Sequence, residues 1–173
     1  MTEDSILQLL FYLLPAVVVG VIAFYFFNLH TRNEEQRRRF LLHKETQKHA
    51  LPLRLQAYER MALFLERIAP GNLLVRIKPS GSDKEAYSNL LIKAIEQEFE
   101  HNLAQQIYIS DECWNVIKAS KNATITNIRK TSAREEITTA NELRQQIVSS
   151  LIDQQPPSET GLSYIKKEVK NLW

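Results

Sequence analysis

Glu98 and His101 are the residues of this chain whose types and spacing come nearest to metal chemistry. A Glu-x-x-His step sets both side chains on one face of a helix, and di-iron bundles use two such motifs with two further carboxylates. The other histidines, His30, His43 and His49, are preceded at that spacing by Phe27, Phe40 and Thr46, so no second copy exists. His101 therefore reads as a histidine satisfied by a helix neighbour. Cys113 is the single cysteine. A nucleophilic thiol needs a base or a positive charge beside it, and no histidine lies close in sequence. Set among apolar residues in a helical pattern, it reads as a packed, inert thiol. No His-Glu-x-x-His, Cys-x-x-Cys, P-loop or Gly-x-Ser-x-Gly pattern occurs. No catalytic residue, metal site or cofactor is inferred. Asn122-Ala-Thr124 matches a glycosylation sequon, which has no meaning in a cytoplasmic segment.

The elements that must position these residues are helical. Four glycines in 173 residues and few clustered β-branched runs favour helices over strands. A formal net charge of +2 lacks the basic excess of a nucleic-acid binder, so no nucleic-acid partner is expected, and no small-molecule substrate is inferred. One cysteine excludes an internal disulfide and agrees with a reducing compartment.

At the amino end, Ile6 to Phe27 is an apolar run without formal charge, preceded by Glu3 and Asp4 and followed by Arg32, Arg37, Arg38 and Arg39. About 20 apolar residues span a bilayer core of roughly 30 Å, so 6–28 is expected to be a transmembrane helix in contact with membrane lipids. The acidic start lacks the positive region of a cleaved signal peptide. Lys and Arg after the span put the amino end outside and the carboxyl end in the cytoplasm of a bacterial inner membrane. Within the span, Ala16 and Gly20 form a small-xxx-small pair that can pack two helices, or are simply residues common in membrane helices. Arg37, Arg38, Arg39 and Lys44 are candidates for the membrane surface or are topology determinants alone.

Beyond the span the helix continues, and Pro52 is expected to interrupt or restart it. Leu51, Leu55, Tyr58, Ala62, Leu65 and Ala69 mark a helical stripe that Pro70-Gly71 stops. Asn72 to Asp83 reads as a connector, extended at Leu74 to Ile77. Tyr87, Leu91, Ile95, Phe99, Leu103 and Ile107 recur at four and predict one helix from Asp83 to Ile107. Ser110-Asp111-Glu112 is a helix start. From Ser110 to Ile152 the pattern allows one helix or two, with Asn122 to Asn127 as the expected break. After a Pro-Pro linker, Leu162, Ile165, Val169 and Leu172 predict an amphipathic helix that docks on the domain or lies on a membrane surface. The organisation expected is a tail at 1–5, the membrane helix at 6–28, a basic juxtamembrane helix at 29–50, a cytoplasmic helical domain at 51–152, a linker at 153–158 and a terminal helix at 159–173. The fold class is all-α, a single transmembrane helix continued into a cytoplasmic helical bundle.

Leu53 to Ile77 (LRLQAYERMALFLERIAPGNLLVRI) and Glu98 to Ile125 (EFEHNLAQQIYISDECWNVIKASKNATI) resemble an uncharacterised family of small single-span membrane proteins of Gram-negative bacteria, Bacteroidetes in particular. The resemblance covers most of the chain. It implies an inner-membrane setting and a helical cytoplasmic domain, and carries no functional residues with it. The expected function is a membrane-anchored interaction or adaptor protein, an accessory subunit of an inner-membrane complex with a protein partner or as a homo-oligomer. Tyr108, Trp114 and Trp173 are its candidate contact residues, since aromatics are common interface anchors, although for Tyr108 and Trp114 a simple core role is the favoured reading. A peripheral-stalk-like subunit and a membrane-tethered enzyme are the alternatives.

Overall fold

The computed structural model describes residues 3–153 and 155–172, without the side chains of 3–11, 29, 31–33, 35–36, 39–40, 42–44, 46–49 and 152–153. Among these residues the elements are helical: α1 (Glu3–Ile68), α2 (Pro70–Arg76), α3 (Lys84–His101), a 3-10 turn (Leu103–Ile107), α4 (Asp111–Ser132), α5 (Ala140–Asp153) and α6 (Pro157–Lys170). An isolated bridge joins Asp83 to Thr139. The chain divides into two units, Met1–Ala50 and Leu51–Trp173.

The first unit corrects the central expectation from sequence. Among the described residues no helix is long and apolar enough to cross a membrane. Side chains 6–11 lie outside the described residues. The transmembrane helix at 6–28 is therefore not supported, and neither is the single-pass inner-membrane location built on it. Ala16 and Gly20 lie on α1 with exposed side-chain positions, and a Cβ at Gly20 would meet nothing within 4 Å. Arg37 and Arg38 are exposed, and Arg37 pairs with Glu34 at 3.8 Å one turn earlier. The side chains of Arg39 and Lys44 lie outside the described residues.

α1 does not break at Pro52, although proline removes one backbone donor there. Its last turns bury Ala57, Tyr58, Met61, Phe64, Leu65 and Ile68, the three-four stripe of an amphipathic helix. Pro70 occupies the first turn of α2, where its fixed φ suits the helix and its missing N–H costs nothing. Leu74 to Arg76, expected to be extended, is thus helical and anchored by buried Leu73 and Leu74, and extended backbone begins only at Ile77.

Asp83 caps α3, accepting from the amides of Glu85 at 2.8 Å and Ala86 at 3.3 Å. Tyr87, Leu91 and Ile95 face the core as their spacing predicts. The helix stops six residues early. Asn102 leaves helical geometry, and its side chain donates to the Glu98 carbonyl at 2.8 Å. Leu103 and Ile107 consequently leave the buried stripe.

Ser110 caps α4 through the Cys113 amide at 3.1 Å. α4 runs straight through Asn122 to Asn127, the expected break. Ile125 and Ile128 are buried there, and the buried Thr124 hydroxyl donates to the Ser120 carbonyl at 2.9 Å. Burial of that face outweighs propensity differences of a few tenths of a kcal/mol per residue. The chain turns at 133–139 instead, and α5 opens with a reciprocal cap. The Thr139 hydroxyl accepts from the Glu142 amide at 3.2 Å, and Glu142 accepts from the Thr138 and Thr139 amides at 2.7 and 3.1 Å.

α6 docks on the domain, lying along α4. Gly161 makes the close approach possible, since a Cβ there would stand 2.8 Å from Ser120 Oγ and 2.9 Å from Leu65 Cδ1. Leu65 is fully buried and cannot swing into solvent. Gly161→Ala is therefore expected to destabilise the domain by about 1–3 kcal/mol through overpacking. Urea unfolding reads this directly, and an unchanged midpoint would show that α6 does not sit so close.

Candidate functional site

Glu98 illustrates how this domain spends its polar groups. The carboxylate receives Arg67 of α1 at 3.0 Å and Arg76 of α2 at 3.4 Å, so two guanidinium groups occupy the oxygen a metal would need. His101 is exposed at the end of α3. Among the described residues no group of three or more His, Cys, Asp or Glu side chains could hold a metal ion.

A second polar cluster lies where α6 meets α1 and the start of α4. Glu168, in the last turn of α6, accepts from the Tyr58 hydroxyl at 2.8 Å. Its second oxygen is buried and finds no hydrogen-bond partner among the described residues. Burial pushes the Glu168 carboxyl up, but the polar groups of Ser110, Tyr58 and Cys113 around it outweigh burial and hold the group below its ordinary value. Its partners move the opposite way. Burial, then the bond to Glu168, pushes the Tyr58 hydroxyl up to about 12, with Arg54 opposing. Burial followed by Glu168 pushes the Cys113 thiol up to about 12 as well. One ionised acceptor therefore faces two protonated donors. Cys113 is a free thiol, fully buried, and its burial disfavours the thiolate that nucleophilic chemistry needs.

The cluster extends to the surface through Arg54. Its Nη2 reaches the Tyr58 hydroxyl at 3.5 Å, and its Nε donates to the Tyr108 carbonyl at 3.2 Å. Tyr108 ends the 3-10 turn. On this turn Ile107 is 72% exposed, Leu103 is 45% exposed and Tyr108 is 38% exposed. Three large apolar side chains thus stand in solvent on a short segment pinned from below.

The sequence candidates fall in different places. Tyr108 belongs to this exposed turn. Trp114 is 7% exposed and stacks on Phe99 with ring centroids 5.2 Å apart, while Phe99 meets Phe64 at 5.6 Å. Trp114 is part of the core. Trp173 lies outside the described residues. The spacing of Leu103 and Ile107 predicts that they continue the α3 stripe, but α3 ends at His101, Asn102 leaves helical geometry, and both side chains are exposed. Arg54, Tyr58 and Glu168 carry no sequence signature, since 110 residues separate the last two.

No curated protein and no solved structure matches the chain. A family description does match, over residues 4–172, and so runs through both units and through every residue of the exposed turn and the Glu168 cluster. The chain belongs to DUF7935, a family of unknown function.

Proposed function

We propose that this protein is a helical interaction protein whose second unit, Leu51–Trp173, engages a protein partner or a second copy of itself through Leu103, Ile107 and Tyr108. The observation that carries this reading is Ile107, exposed to 72% on a turn held by Arg54. Single exposed apolar residues need no explanation, whereas three on one anchored turn make a surface suited to burial. Rigid presentation lowers the ordering cost of binding. The reading is non-enzymatic: Glu98, Cys113 and Glu168 are each engaged in contacts that hold helices together. A stalk-like structural role is the second reading, favoured by the continuity of α1 through Pro52.

Site-specific photocrosslinking in the native cell tests the first reading. A benzoylphenylalanine at exposed Gln106 is expected to yield a defined adduct, and one at exposed Lys130, on α4, is not. Recovery of monomer alone from the Gln106 position would overturn it.

A further inference from the structure

We infer that α6 is a latch for the exposed turn: Glu168 makes the docking of α6 and the ordering of the Tyr108–Cys113 segment a single event. Polar contacts from α6 converge on that short segment by separate routes. Glu168 takes the Tyr58 hydroxyl at 2.8 Å, Tyr58 meets Arg54 at 3.5 Å, and Arg54 holds the Tyr108 carbonyl at 3.2 Å. Ser110 and Cys113, in the cap and first turn of α4, contribute to holding the Glu168 carboxyl below its ordinary value. Tyr164, on the same helix, reaches Glu112 at 3.5 Å.

α6 packs along α4, with Leu162, Tyr164 and Val169 partly buried against the core. Its fully buried residues are Ser158, Gly161 and Ile165. As a terminal helix it can open locally without unfolding the rest of the domain. When α6 lifts, Glu168 leaves Tyr58, Ser110 and Cys113 together, and Arg54 loses the partner that orients it. Linkage runs both ways, so a partner pressing on Ile107 and Tyr108 strengthens the docking of α6. The partner half of that statement rests on the proposed function. The coupling does not, and it is measured without any partner.

Hydrogen–deuterium exchange on the full-length protein tests it. Glu168→Ala is expected to speed exchange of amides in 165–170 and in 108–113 together, each roughly tenfold or more, as befits loss of hydrogen bonds to a charged group. Faster exchange in 165–170 with wild-type protection in 108–113 would overturn the latch. Should Glu168→Ala fail to fold, Glu168→Gln retains an acceptor for Tyr58 and is read the same way. It is expected to give a smaller rise in both segments, and a rise confined to α6 would again overturn the inference. Failure of the Gln106 crosslink leaves this result intact, so the two ideas fall separately.

Discussion

Trp114→Ala is expected to lower the stability of the helical domain by about 3–5 kcal/mol, the cost of emptying a large buried aromatic site. The indole is 7% exposed and stacks on Phe99 at 5.2 Å. Phe99 in turn contacts Phe64 at 5.6 Å, and Lys121 Nζ stands 4.6 Å from its ring centre. Removing Trp114 takes away the stacked partner and opens a cavity bordered by α1, α3 and α4, whose neighbouring core residues Phe64, Leu91 and Ile117 are fully buried. A loss of that size is a large fraction of a domain's net stability. Chemical denaturation with tryptophan-independent detection, such as circular dichroism, is the appropriate readout. A loss below about 1 kcal/mol would place Trp114 at a surface instead, since surface substitutions seldom cost more than 0.5 kcal/mol.

Tyr58→Phe has the second largest expected effect, about 1.5–3 kcal/mol, because it deletes a donor to an ionised carboxylate at a buried position. Tyr58 is buried and its hydroxyl lies 2.8 Å from Glu168. The effect carries a pH signature. Glu168 titrates below its ordinary value, with burial opposing and the polar groups of Ser110, Tyr58 and Cys113 prevailing. A carboxylate with a depressed folded pKa contributes stability that is complete above its unfolded pKa, about 4.3. That contribution is lost as pH falls through the lower folded value. The gap between wild type and Tyr58→Phe is therefore expected to stay constant from neutral pH to about pH 5 and to narrow below about 4.3. Urea unfolding at pH 7, 5 and 3.5 tests this. A gap of equal size at all three would mean that the hydroxyl is not bonded to a carboxylate.

Much of the helical domain is legible in the residues, because local rules agree with packing there. Ser110-Asp111-Glu112 starts α4, and Tyr87, Leu91 and Ile95 bury the face their spacing marks. Where tertiary contacts decide, local rules mislead. The weak helix formers at 122–127 stay helical because Ile125 and Ile128 are buried and Thr124 satisfies its own hydroxyl. Leu103 and Ile107 continue a four-residue spacing whose helix has already ended at His101. At the amino end the apolar composition of Ile6 to Phe27 predicts a membrane span, and among the described residues no helix is long and apolar enough to cross a membrane.

The candidate site was half legible. Tyr108 is an aromatic beside a turn and could be picked out from sequence alone. Ile107 was hidden by a periodicity it does not obey. Glu168 and Tyr58 meet across 110 residues of chain, and no spacing rule joins them. Arg54 is one arginine among several on α1, distinguished only by the carbonyl it finds.

The central claim is that the exposed turn is a working surface, and Ile107→Asp tests it most directly. Binding of the purified variant to the partner captured at Gln106, or its self-association if that partner is a second copy, is compared with wild type alongside the urea midpoint. The account expects binding weakened at least about tenfold, the scale of a modest interface hot spot, with the midpoint unchanged because Ile107 is outside the core. Wild-type binding by a folded Ile107→Asp protein would contradict it.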